Sequence, residues 1–126
     1  MHIHYQTDND RVELYLRENE SWLSDINRQM LELDELSHQL KQIGRNDDEE
    51  ADCLNSMIRE QHRSALKLND ALYFQQSRLA DDELHHRIYD TDALSTQDLL
   101  RNNVKENMKK YLDLKCDLMN YFSGAL

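Results

Sequence analysis

The chain has 126 residues, 32% of them charged, a formal net charge of -10, two cysteines, two glycines and no proline. A narrow hydrophobic fraction of 39% suits one elongated domain with a thin core, and the missing turn residues argue against a loop-rich enzyme scaffold. The negative charge repels phosphate backbones and so excludes nucleic-acid binding as the expected role.

The first ten residues, MHIHYQTDND, carry no lysine or arginine, unlike a signal or transit peptide. The chain also lacks an apolar run near the ~18 residues a membrane helix needs. The expectation is a cytoplasmic protein with no membrane association. Cys53 and Cys116 lie in no CxxC or metal-ligand spacing and read as reduced thiols.

The first helix is expected over about residues 8–43, opening at Thr7 or Asp8 and closing before Gly44 at its C′ position. Val12, Ile26, Leu33 and Leu40 mark its apolar stripe, interleaved with Tyr15, Trp22, Leu36 and Ile43 and widened by Leu16, Leu23 and Met30. The segment SWLSDI around Trp22 resembles the first helix of a spectrin repeat, itself a three-helix coiled bundle. That likeness covers six residues. The third helix has no tryptophan and the first runs unbroken to Ile43, so the resemblance implies nothing about function.

The second helix is expected over about 47–89, with Asn46 as cap and Glu49 reaching back to it. Its stripe is Leu54, Ile58, Gln61, Ala65, Leu68, Leu72, Gln75 and Leu79, with the two glutamines as polar interruptions. The weakened pattern at Asp81-Asp82-Glu83 leaves a break there open. Ser95-Thr96-Gln97-Asp98 then reads as the cap of a third helix over about 96–123, lined by Leu100, Val104, Met108, Tyr111, Leu114, Leu118 and Phe122. The fold class is therefore all-α, with three long antiparallel helices in an elongated coiled-coil-like bundle.

Short connections place residues level when their numbers sum to about 90 between the first two helices and to about 185 between the last two. In that register the third helix stops near Arg59, leaving a hairpin tip from Glu32 to Ile58 uncovered. Leu33, Leu36, Leu40, Ile43, Leu54, Met57 and Ile58 would then form an exposed apolar strip, and a second copy would close it into a four-helix bundle. The expected partners are a second copy of the chain, as a homodimer, or another helical protein. Arg101, Lys105 and Lys109, with Lys110 and Lys115 nearby, form a basic ridge suited to an acidic helix of another copy or an acidic partner.

Residues with metal-site chemistry are His2, His4 and His86, with His85 and several acids close by; neutral imidazoles suit zinc, copper or nickel. The repeated Glu-x-x-His spacing, at Glu35/His38 and Glu83/His86, supplies ligands in ferritin-like di-iron bundles. Here Leu33 and Leu36 turn Glu35 and His38 outward, and the two motifs lie at opposite ends of the hairpin. Phosphate-loop, GxSxG and HExxH motifs are all absent. The expected function is a noncatalytic helical scaffold or interaction module without a cofactor, and the alternative is a metal-binding bundle.

Overall fold

The computed structural model describes the backbone of residues 2–43, 48–84 and 91–125 and the side-chain surroundings of residues 10–43, 48–81 and 94–124. The chain forms α1 (His2–Ile43), α2 (Glu49–Leu84) and α3 (Thr91–Ala125). All three pack against one another, and the all-α three-helix architecture is the one expected.

The element boundaries differ at their N-termini. α1 starts at His2 rather than beside Thr7, and α3 starts at Thr91, so Ser95 to Asp98 lies inside the helix instead of capping it. The cap of α2 is Asp48, whose Oδ1 accepts the Ala51 amide at 3.1 Å while its backbone carbonyl accepts the Asp52 amide at 3.1 Å. This is an N-cap arrangement in which a carboxylate oxygen satisfies the third free amide of the helix. Asn46 and Gly44 lie outside the described residues.

Register follows from the cross-helix hydrogen bonds. Between α1 and α2, Gln29 meets Gln61, Ser37 meets Asn55 and Leu16 meets Gln76, so level residues sum to 90–92 as expected. Between α2 and α3, Gln61 meets Asn107, Gln75 meets Gln97 and Asp48 meets Tyr121. These pairs sum to about 170, which corrects the expected 185. α3 begins at Thr91, ahead of the expected Ser95 cap, and lies about 15 residues, or roughly 22 Å, farther toward the hairpin tip than expected.

The uncovered tip is accordingly overturned. Leu33, Leu36, Leu40, Leu54 and Ile58 are buried in one cluster with Ala51, Tyr111, Leu114, Leu118 and Phe122, and Met108 and Tyr121 pack at its edge. Of the seven residues expected on the strip, Ile43 and Met57 alone stay exposed, at 37% and 39%. α3 itself is the covering helix. A second apolar cluster joins Leu23, Ile26, Ala65, Leu68, Leu72, Leu100 and Val104, flanked by Trp22 and Met30. A third joins Val12 and Leu79, with Tyr15, Leu16 and Leu94 beside them. Each fully buried leucine or isoleucine in these clusters contributes about 1.5–3 kcal/mol of transfer free energy.

The same shift brings Cys116 to the level of Cys53 instead of that of Asn69. Both thiols are free and exposed. They therefore stay unlinked although the large axial separation expected between them is absent.

Candidate functional site

The apolar clusters are separated by two layers of buried amides, each built from one residue of every helix. In the layer nearer the tip, Gln61 Nε2 donates to Asn107 Oδ1 at 2.9 Å and to Gln29 Oε1 at 3.4 Å, and Asn107 Nδ2 donates to Gln29 Oε1 at 3.2 Å. In the other, Gln75 Nε2 donates to Gln97 Oε1 at 3.3 Å, and Gln97 Nε2 donates to Asn19 Oδ1 at 2.9 Å and Glu18 Oε1 at 3.0 Å. A buried amide is tolerated when its partners are present and strongly penalised when they are displaced, so these layers hold the register. Gln61 and Gln75 were legible as polar interruptions. The other four interrupt the same stripes: Asn19 continues the sevenfold spacing of Val12 and Ile26, Gln97 that of Val104, and Asn107 that of Leu100 and Leu114, whereas Gln29 lies seven residues from Trp22 and Leu36. A search for apolar side chains alone passes over them.

Charged groups line the groove between α1 and α3. Arg101 makes two bonds to the Glu18 carboxylate, Nη2 to Oε1 at 2.7 Å and Nε to Oε2 at 3.0 Å, and a third to Asp98 at 2.8 Å. Its guanidinium carbon lies 5.9 Å from the ring centres of both Tyr15 and Trp22, within range of a cation–π attraction. The Glu18 carboxylate above all, with Asp98 adding to it, holds Arg101 more firmly protonated than usual against the opposing effect of burial. Trp22 is thus a partly buried flank of the middle cluster, as its place on the stripe implied.

Nearer the tip, Lys115 Nζ lies 2.5 Å from Glu32 Oε1. The bond from Lys115, with one from the Tyr111 hydroxyl, holds the Glu32 carboxyl below its ordinary range. Burial first, and the Glu32 carboxylate second, push the Tyr111 hydroxyl well above its ordinary value. The basic ridge is therefore divided: Arg101 and Lys115 engage the acidic first helix of their own chain, while Lys105, Lys109 and Lys110 remain exposed.

Glu35 and His38 face solvent, as their place beside Leu33 and Leu36 requires. The side chains of His2 and His4, and all of His86, lie outside the described residues. Among the described residues no group of three or more metal-ligating side chains comes together, and no helix is long and apolar enough to cross a membrane.

What the surface does offer is apolar. Leu66, Tyr73 and Phe74 are exposed within just over two turns of α2, with Phe74 at 72%. On the α1/α3 side, Leu31 and Met119 line an open groove with Arg28, Glu35 and Lys115; Leu31 is 72% exposed, and Leu112, seven residues before Met119 on α3, is 53% exposed. These side chains contribute little to the fold and stand available for contact. No protein-family model, curated protein or solved structure matches the chain.

Proposed function

We propose that the chain is a noncatalytic, cytoplasmic helical interaction module that acts by associating with a second copy of itself. The supporting observation is the division of its apolar residues into two sets. Five of the seven expected at the tip are consumed in the core, while Leu31, Leu66, Phe74 and Leu112 stand on outer faces with about half or more of their surface exposed and contribute less to folding. Burying such side chains against a partner is favourable at about 25 cal/mol per Å² of apolar surface. The contact surface is therefore the outer face of the bundle rather than the hairpin tip. The buried amide layers support this reading, because a bundle held in one register presents its outer residues in fixed positions. Light scattering at tens of micromolar tests it: the expected mass is twice that of one chain, and a single-chain mass throughout that range overturns the reading.

A further inference from the structure

The association proposed above leaves open which face meets which. α1 and α3 run parallel, and their bonded pairs differ in number by 78 for Gln29–Asn107 and Asn19–Gln97 and by 83 for Glu32–Lys115 and Glu18–Arg101. Leu31 and Leu112 differ by 81, so the two exposed leucines stand level; Leu31 lines the α1/α3 groove with Met119, and Leu112 lies seven residues before Met119 on the same face of α3. Arg28 and Glu35 flank Leu31, three residues before it and four after it. Lys105 and Met119 flank Leu112, seven residues to either side.

This arrangement is self-complementary under a single two-fold axis. With the axis perpendicular to the helices at the height of Leu31, an antiparallel copy lays its own Leu31 and Leu112 on those of the first chain. It also brings Arg28 against the partner's Glu35, twice. Lys105 meets the partner's Met119, where its aliphatic stem can lie over the thioether. Lys115, the remaining cation in the groove, is already neutralised by Glu32 at 2.5 Å. Among the described residues, the bond competing for Arg28 is an exposed contact to Asp25 at 3.8 Å, which holds it weakly.

The alternatives are less favourable. A parallel copy would set α1 against the partner's α3 and bring Arg28 level with its Lys109, a like-charge contact, whereas the antiparallel copy brings Lys109 level with the partner's Lys115, whose charge Glu32 offsets. On the α2 face, Leu66 and Phe74 stand four residues to either side of Asp70, so the corresponding antiparallel contact would press Asp70 against its own copy. We infer that the chain forms an isologous, antiparallel dimer through the α1/α3 face, centred on Leu31 and Leu112 and oriented by reciprocal Arg28–Glu35 pairs. This inference rests on the self-association reading and specifies its geometry.

Charge reversal tests it with the full chain. R28E and E35R should each raise the dimer dissociation constant at least about tenfold, and the R28E/E35R double variant should return it to near the native value. L31D should yield a monomer with an unchanged helical melt, since Leu31 lies outside the core. With Cys53 and Cys116 changed to serine, L31C should form a disulfide-linked dimer under mild oxidation, because the axis passes beside it. A native dimer insensitive to R28E and E35R but broken by F74D would overturn this geometry while leaving the self-association reading in place. A monomeric native chain would overturn both.

Discussion

Asp48 ties two helix ends together. One carboxylate oxygen caps α2 through the Ala51 amide, and the other accepts the hydroxyl of Tyr121 on α3. D48A should lower stability by about 1–2 kcal/mol in urea denaturation, and D48S, which keeps a capping oxygen, should recover much of that loss. Glu32 and Tyr111 make stability depend on pH in opposite ranges. The folded Glu32 carboxyl is held below its ordinary value of 4.5, so its contribution is present above that pH and is lost as pH falls through the folded value. The stability difference between the native chain and E32Q should be constant above about pH 5 and shrink below it. Tyr111 has a folded value raised above its ordinary 10.0. Its neutral form therefore stabilises the fold below that pH, and the contribution declines as pH rises beyond it. Y111F should remove this alkaline loss, as read from urea midpoints across the range.

At the scale of the helix, the amide layers exchange stability for uniqueness. Asn19 Nδ2 and Gln29 Nε2 are buried without a hydrogen-bond partner among the described protein atoms, a cost of about 1–3 kcal/mol for each such group. An apolar layer of similar volume would carry no such penalty. The triple variant Q29L/Q61L/N107L should therefore melt at a higher temperature than the native chain, yet show broadened or doubled amide resonances as neighbouring registers become accessible. N107L alone should instead destabilise by about 1–3 kcal/mol, because it leaves Gln61 and Gln29 buried without their shared partner. If the triple variant melted lower, the layers would be net stabilisers and not register devices. Which residues form these layers was partly visible in the sequence, since all six interrupt otherwise apolar stripes. Pairing Gln61 with Asn107 and Gln75 with Gln97 would also have revealed the correct α2/α3 register.

Over the whole molecule, that register decides which residues are core and which are surface. Leu36 and Ile58 were expected to carry association, and their exposure to a partner would have made charged substitutions harmless to folding. Both are buried, at 4% and 3% exposure. L36D combined with I58D should abolish the cooperative helical melt followed by circular dichroism, since a carboxylate in this cluster has no partner. L31D should leave that melt intact, and the contrast between these variants separates folding from association.

The sequence by itself determined the all-α class, the hairpin register of α1 on α2 and most of the buried stripe. These follow from local rules: apolar side chains recurring every three to four residues choose one face of each helix, and a short connection sets two neighbours level. Only the tertiary structure decided where α3 lies along the hairpin. That placement depends on amides, ion pairs and the Asp48–Tyr121 contact between residues far apart in the chain, while periodicity repeats every turn and is nearly blind to a slide along the axis. A slide of about 15 residues turned the expected docking strip into core and left the outer faces of the helices as the surface for association.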